Sequence, residues 1–274
     1  MLNFSVGFIV SFLCTMLIVR YAHIHEKFSA DADFTGAQKF HTRAVPRIGG
    51  IGILAAALIT SAVLWWNHAF QYKQFLFVVL AGLPAFLAGL VEDFTKAVSP
   101  RTRLIATMLS AVLAVWFVDA RIIRIDVPFI DVALSYFVVS LALTAVAVAG
   151  LANAINIIDG FNGLASMVAT MMFLSVSYVA LQVGDTLVLS LSLAMAGAII
   201  GFFMWNFPSG LIFLGDGGAY FIGFALAETV VLLVARNPSV SAWYPVLMVI
   251  YPIFETLFSI YRKKMLRGIP PAAQ

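Results

Sequence analysis

The stretch LVLSLSLAMAGAIIGFFMWN, residues 187–206, decides the fold class of this chain. It holds 20 residues without a charged side chain, and a helix needs about 20 mostly apolar residues to cross a bilayer. Similar stretches flank it, and we predict nine spans, at residues 2–22, 48–66, 75–91, 104–119, 132–150, 164–183, 187–206, 219–235 and 242–261. The predicted fold class is therefore all-α, a polytopic transmembrane helix bundle of about nine spans.

The composition excludes several other classes of protein. Hydrophobic residues make up 62% of the 274 residues and charged residues 11%, whereas soluble domains carry about 25% charged residues. A disordered chain is excluded, because disordered chains combine low hydrophobicity with high charge. A β-barrel is excluded as well, because it would show alternating strands of about ten residues. Cys14 is the one cysteine, which excludes a disulfide framework. The sequence shows no basic patch interleaved with exposed aromatics, so it does not indicate a nucleic-acid partner.

The basic residues predict the orientation in the bilayer. With nine spans, twelve of the sixteen Lys and Arg residues fall on one side, which should be cytoplasmic, so the N-terminus lies outside and the C-terminus inside. That side also carries four polar loops, three of them with glycines: KFHTRAVPRIGG (39–50), VEDFTKAVSPRTR (91–103), NAINIIDGFNGLA (153–165) and FLGDGGAYFIG (213–223). Any chemistry is therefore expected at the cytoplasmic face.

Two of these loops carry carboxylates and amides that suit a magnesium site. Glu92 and Asp93 are adjacent at a helix end, where they form either a solvated terminus or, with substrate phosphates, a Mg²⁺ site. Asn153, Asn156 and Asp159 recur every three residues, which puts them on one face of a helical turn. Because polar groups at a membrane border need partners or a ligand, this face is either a capped turn or a binding site.

The loop at 213–223 has a carboxylate among glycines. Asp216 precedes a predicted span, so it acts either as an N-cap or as a metal ligand in a glycine-lined anion site. Phe213 either stacks on a nucleotide base or packs in the bundle. Glu228 lies in the middle of the following span, and an acid there calls for a partner, for which we predict an interhelical hydrogen bond.

Basic side chains follow the same face. His41, Arg43 and Arg47 precede a Gly-Gly pair, a combination that suits substrate phosphates or anionic lipid headgroups. Arg101 and Arg103 either hold an anionic substrate or only follow the positive-inside rule.

The loops at 153–165 and 213–223 resemble those of the polyprenyl-phosphate N-acetylhexosamine-1-phosphate transferases, and the resemblance covers about residues 41–255. It implies that a UDP-N-acetylhexosamine reacts with undecaprenyl phosphate, giving undecaprenyl diphosphate-sugar and UMP for cell-envelope polysaccharides. It also implies Mg²⁺ as the cofactor, with Mn²⁺ as the alternative, and a bacterial inner membrane location with a cytoplasmic active site. The lipid bilayer is a partner, and a homodimer is compatible with the sequence.

The resemblance also implies roles for individual residues. They are catalytic Glu92, Asp93 and Asp159, metal-binding Asp216 and Asn156, nucleotide-binding Phe213, Asn153 and Asn162, and phosphate- or lipid-binding His41, Arg43, Arg47 and Arg101.

The chain departs from the family pattern at three points. Glu92 stands where the family commonly has Asp, and Asn162 where bacterial members often have Asp. The family's His-rich loop after the late helix has no counterpart, so we expect a single integral membrane domain over 1–274, truncated at its C-terminal end. Two alternatives stay open: a degenerate, non-catalytic member that binds lipid phosphate, and a transporter, for which Glu228 is the candidate midplane residue.

Overall fold

The computed structural model of the protein describes residues 1–23, 30–31 and 45–266. Most of this part of the chain is helical. The helices are α1 (Leu2–Arg20), α2 (Gly50–Trp66), α3 (Tyr72–Ala81), α4 (Leu83–Thr95), α5 (Pro100–Val118), α6 (Pro128–Leu134), α7 (Phe137–Ile158), α8 (Leu164–Val183), α9 (Thr186–Asn206), α10 (Gly215–Arg236), α11 (Trp243–Met248) and α12 (Ile250–Tyr261), followed by a π-helical turn at Arg262–Leu266. Strands β1 (Ala30–Asp31) and β2 (Val45–Pro46) pair antiparallel, with Ala30 opposite Pro46 and Asp31 opposite Val45.

Seven helical segments of the described chain are long and apolar enough to cross a membrane. They are α1, α3 together with α4, α5, α7, α8, α9 and α10. The apolar helix α2 has 17 residues and is shorter than these seven. The predicted all-α polytopic membrane bundle is thereby confirmed, whereas the count of nine spans and the orientation stay predictions.

The last predicted span, 242–261, is divided into two helices. Its first part is α11, of six residues, and its second part is α12, of twelve residues. The chain leaves the α-helical conformation at Val249, shortly before Pro252. Proline has no amide hydrogen, so it fits the first turn of a new helix better than the interior of a continuous one.

The span predicted at 132–150 is shifted in the structure. Its first residues belong to α6, and α7 continues to Ile158, well past the predicted end. Asn153 and Asn156 lie within the helix, and their amide groups have partners: Asn153 Nδ2 donates to Ala149 O at 2.8 Å, and Asn156 Nδ2 donates to a carboxylate of α10 at 3.2 Å. Both asparagines therefore project from the last turns of α7.

Helix α10 forms the centre of the bundle. It is the most buried of the candidate spans and packs against α2, α4, α7 and α8. Phe221 and Phe224 on α10 are fully buried, and Phe221 meets Phe86 of α4 edge-on. By contrast, α1 packs mainly against α9 and α2, and its buried residues are Gly7, Ser11 and Thr15. The start of α10 is consequently held by several helices that end or begin at the same end of the bundle.

The segment at 45–50 is fixed to the start of α10 by its backbone. Phe213 N donates to Pro46 O at 2.8 Å, Gly49 N to Phe213 O at 3.0 Å and Gly50 N to Leu214 O at 3.0 Å. A Cβ on Gly50 would stand 2.4 Å from the backbone of Gly218. The 45–50 segment and the first turn of α10 can therefore approach this closely only because residue 50 has no side chain. The Gly-Gly pair therefore serves the packing of the segment.

Candidate functional site

A carboxylate in the first turn of α10 is the centre of the site. The Asp216 side chain is largely buried, and its Oδ1 accepts from Asn156 Nδ2 at 3.2 Å. Arg47 Nη2 lies 3.7 Å from the same oxygen, and Arg103 Nη1 donates to Oδ2. Residues from α10, α7, α5 and the 45–50 segment thus converge on one acidic group.

Asp216 does not cap its own helix, contrary to one of the two sequence interpretations. The N-cap residue of α10 is Leu214, and no side chain of the cap position bonds to the first turn. Instead, Asp93 of α4 supplies the cap, because its Oδ1 accepts from Asp216 N at 2.9 Å and its Oδ2 from Gly217 N at 3.0 Å. Such a carboxylate satisfies two otherwise unbonded N–H groups and interacts favourably with the helix dipole.

Gly215 allows this close arrangement at the helix start. Its φ is +75°, in the left-handed region that favours glycine, and a Cβ would stand 2.0 Å from Arg47 O and 2.6 Å from Asp93 Oδ2. The glycine at this position therefore lets the capping carboxylate and the basic segment reach the first turn of α10.

Glu92 and Asp93 are neighbours in sequence but face different parts of the molecule. Glu92 Oε2 accepts from Val98 N at 2.7 Å, which ties the end of α4 to the loop before α5. Ser99 caps α5 by accepting from Thr102 N at 3.1 Å, and Pro100 occupies its first position. The observed contact of Glu92 therefore orients the start of α5 and does not reach Asp216.

The remaining polar residues at the end of α7 surround the same centre. Asn153 Oδ1 accepts from the Tyr220 hydroxyl at 3.0 Å, which joins α7 to α10 one turn after Asp216. Asp159 follows the last turn of α7, and burial raises the pKa of its carboxyl to about 8, an effect that Arg47 opposes and Asp93 reinforces. This carboxyl can consequently hold a proton near neutral pH.

The predicted basic residues divide into three groups. Arg47 lies at the centre, since it also approaches Asp93 Oδ1 at 3.9 Å. Arg101, to which the resemblance assigns phosphate or lipid binding, is exposed, and that role stays a prediction; its neighbour Arg103 reaches Asp216. His41 and Arg43 lie outside the described residues, so their predicted role in binding phosphate or lipid stays a prediction.

The two predicted nucleotide-binding residues outside α7 lie on neighbouring loops. The backbone of Phe213 bonds to the 45–50 segment, and the Asn162 side chain lies against Gly210. Sequence reasoning missed Asn206, which joins these loops: its Oδ1 accepts from Gly163 N at 2.6 Å and its Nδ2 donates to Ile212 O at 2.8 Å. The sequence feature that could have identified Asn206 is an amide side chain at the end of a predicted span, directly before a polar loop.

Glu228 differs from its prediction. The residue is fully buried in α10, and neither carboxylate oxygen has a hydrogen-bond partner among residues 1–23, 30–31 and 45–266. The expected interhelical hydrogen bond is therefore wrong for the described part of the protein.

The residues around Asp216 fit a hard divalent cation. Within the described chain, no three His, Cys, Asp or Glu side chains gather closely enough to hold a metal by themselves. Mg²⁺ does not need such a cage, since it usually takes one or two carboxylates together with substrate phosphates. Asp216 supplies the carboxylate and the Asn156 amide lies beside it, so the donor set suits an ion that arrives with a phosphorylated substrate.

Comparisons with known proteins find similar sequences in bacteria. The sequence model described as "Glycosyl transferase family 4" matches residues 75–234. The "Probable undecaprenyl-phosphate N-acetylglucosaminyl 1-phosphate transferase" of Bacillus subtilis (strain 168) is 28% identical over 273 residues, covering 96% of this chain and 72% of that protein. The "Undecaprenyl-phosphate alpha-N-acetylglucosaminyl 1-phosphate transferase" of Thermotoga maritima is 29% identical, covering 96% of this chain and 75% of that protein. The "Phospho-N-acetylmuramoyl-pentapeptide-transferase" of Caldanaerobacter subterraneus is 30% identical, covering 92% of this chain and 78% of that protein.

Proposed function

This chain belongs to glycosyl transferase family 4, and from that membership we propose that it transfers a sugar 1-phosphate from a UDP-sugar to undecaprenyl phosphate. An oxygen of the lipid phosphate bonds to the β-phosphorus of the UDP-sugar. The bond from that phosphorus to the bridging oxygen breaks, UMP leaves, and undecaprenyl diphosphate-sugar forms. The proposed donor is a UDP-N-acetylhexosamine, because two of the relatives carry N-acetylglucosaminyl 1-phosphate transferase names.

The observation that carries the proposal is the Asp216 carboxylate with Asn156, Arg47 and Arg103 around it. Phosphoryl transfer requires mainly positioning and the stabilisation of negative charge. The two arginines offer positive charge to a diphosphate, and planar guanidinium groups match phosphate oxygens well. Asp93 keeps the first turn of α10 in place through its two backbone hydrogen bonds.

The proposal includes a divalent cation, Mg²⁺ with Mn²⁺ as the alternative. Asp216 and Asn156 are the residues that would hold it, and the bound ion would neutralise charge on the diphosphate. Asp159 contributes a carboxyl with a pKa of about 8 beside Arg47, which suits a group that holds or releases a proton near the reacting phosphates.

A cytoplasmic active site at a bacterial inner membrane is part of the same proposal. In the predicted topology, the side with twelve of the sixteen basic residues is the side of the Asp216 loop. The positive-inside rule assigns that side to the cytoplasm, where nucleotide sugars are available. Bacterial relatives support the assignment to a cell-envelope pathway.

The test is a transfer assay on the full chain purified into nanodiscs. Undecaprenyl phosphate, Mg²⁺ and each member of a panel of UDP-N-acetylhexosamines are supplied, and UMP release is followed. We expect UMP with one donor, and a rate at least roughly a hundredfold lower for Asp216→Asn, since electrostatic stabilisation is a large catalytic contribution. Asp119→Asn is the matched control, because Asp119 forms an ion pair with Arg121 away from the site.

Two results would contradict the proposal. Wild-type turnover in Asp216→Asn would show that the carboxylate is not needed. A folded wild-type chain that releases no UMP with any donor would instead favour the non-catalytic member that binds lipid phosphate.

A further inference from the structure

Arg103 is the described cation that donates a hydrogen bond to the central carboxylate. Its Nη1 donates to Asp216 Oδ2, and its guanidinium carbon lies 5.9 Å from the centre of the Tyr220 ring. The backbone is fixed within α5, since Thr107 Oγ1 donates to Arg103 O at 2.8 Å. The arginine is thus held where the carboxylate needs a positive partner.

The same arginine has an unused donor. Its Nε is buried and has no hydrogen-bond partner within the part of the chain that the structure describes. A buried N–H without an acceptor is unfavourable, because it has lost its hydrogen bonds to water. An anion with two oxygens in one plane, such as a phosphate, would accept from Nε and from a terminal nitrogen of one guanidinium group.

Both oxygens of Asp216 are engaged in this arrangement. Oδ2 accepts from Arg103, while Oδ1 accepts from Asn156 and lies 3.7 Å from Arg47. A divalent cation that binds a remaining lone pair of this carboxylate lies beside two guanidinium groups, those of Arg103 and Arg47. Arg103 and the ion therefore compete for Asp216 by like charge.

We infer that Arg103 couples the binding of the divalent cation to the binding of the nucleotide diphosphate. In the nucleotide-free chain Arg103 neutralises Asp216 and keeps the ion weakly bound. When a diphosphate enters, the guanidinium group moves from Asp216 to the phosphate oxygens, Nε gains an acceptor, and the carboxylate is released to the ion. This inference rests on the proposed function, because it takes the diphosphate of a nucleotide as the anion.

The experiment measures ion binding in the full chain in nanodiscs, with Mn²⁺ as the probe and its free fraction read by electron paramagnetic resonance. Titrations are run with and without UDP. We expect UDP to raise the Mn²⁺ affinity of the wild type by a factor of roughly 5–150, the usual range for coupled sites, and Mn²⁺ to raise the UDP affinity by the same factor. Arg103→Gln should bind Mn²⁺ more tightly than the wild type without UDP, and its coupling factor should fall towards one.

Two further variants make the result specific. Arg103→Lys keeps the charge but has no Nε–H and no planar fork, so it should keep the weak Mn²⁺ binding without UDP and lose part of the coupling. Arg121→Gln removes an arginine from the Arg121–Asp119 pair and should behave as the wild type. Thermal unfolding of each variant checks that the compared proteins are folded.

The outcomes separate this inference from the proposed function. Equal Mn²⁺ affinity of the wild type and Arg103→Gln without UDP, with equal coupling factors, would overturn the role of Arg103 even if UMP release is normal. The expected change in Mn²⁺ binding in a chain that releases no UMP would support the role of Arg103 and contradict the transferase proposal.

Discussion

Replacement of Asp93 by Asn tests whether this carboxylate holds the first turn of α10. Both oxygens accept from backbone N–H groups, of Asp216 at 2.9 Å and of Gly217 at 3.0 Å, and the residue is only 4% exposed. An amide has one acceptor oxygen, so Asp93→Asn keeps one hydrogen bond and turns an NH₂ group towards the other N–H. The first turn then has a buried donor without an acceptor.

The expected loss of stability follows from these contacts. One unsatisfied buried N–H costs about 1–3 kcal/mol, and the loss of a negative charge at a helix N-terminus costs about 0.3–1 kcal/mol. The guanidinium group of Arg47 loses little, since 27% of its side chain is exposed and can be hydrated. The free energy of unfolding should therefore fall by about 2 kcal/mol, with a range of about 1–4 kcal/mol.

The assay is reversible unfolding of the purified chain in mixed detergent micelles, followed by circular dichroism, together with the UMP release assay. Glu92→Gln is the matched control, because it changes the adjacent carboxylate, whose hydrogen bond within the described residues is with Val98 N and keeps an acceptor after the change. It should alter the unfolding free energy by less than about 0.5 kcal/mol, as is usual for such partly exposed positions. If Asp93→Asn unfolds as the wild type does while transfer is lost, Asp93 acts in the chemistry and not as a helix cap.

Three other positions give sharp expectations. Asn206→Ala should destabilise the chain by about 2–4 kcal/mol because two buried backbone groups lose their partners, whereas Asn67→Ala at an exposed helix end should cost less than about 1 kcal/mol in the same unfolding assay. Gly215→Ala should prevent correct folding or abolish UDP binding, since a Cβ would stand 2.0 Å from a backbone oxygen. Gly184→Ala, at φ +72° with nothing within 4 Å, should lower the free energy of unfolding by only about 1–2 kcal/mol. Equal losses of stability in the two variants would contradict the steric argument. Glu228→Gln should leave the unfolding free energy within about 1 kcal/mol of the wild type, because no described partner is lost; a loss above about 2 kcal/mol would reveal a charged partner.

The fold class could be predicted from the sequence because the bilayer imposes one simple requirement on length and polarity. Helices α8 and α9 begin and end within one residue of their predicted bounds, at Gly163, Gly184 and Asp185, where glycine or a capping acid marks the end. The breaks at Gly82 and Val249 were missed because apolar side chains continue across both. The local signals are Pro84 and Pro252, which stand in the first turns of the helices that follow.

The site could be predicted only as a set of loops at one end of the bundle. The structure brings Arg47, Asp93, Asn156 and Asp216 together, from segments that are far apart in sequence. The family resemblance assigns phosphate or lipid binding to Arg101 and not to Arg103, although both are basic and both follow the positive-inside rule. The difference between them arises from the direction in which each side chain leaves α5, and that direction is set by how α5 packs against α4 and α7.

The pair Glu92 and Asp93 shows why adjacent carboxylates need not share a task. In an α-helix, successive side chains point about 100° apart around the axis, so one residue of the pair can face the bundle while the other faces the loop. Asp93 points at the N-terminus of α10, where backbone N–H groups and the helix dipole favour a negative charge. Glu92 reaches the N–H of Val98 instead, and the start of α5 that it steadies carries Arg103 towards Asp216. In this arrangement both carboxylates support the central carboxylate from opposite sides, Asp93 by holding its helix and Glu92 by holding the helix of its counter-ion. The longer side chain of Glu92 is compatible with this task, because its acceptor is needed at the loop and not at Asp216.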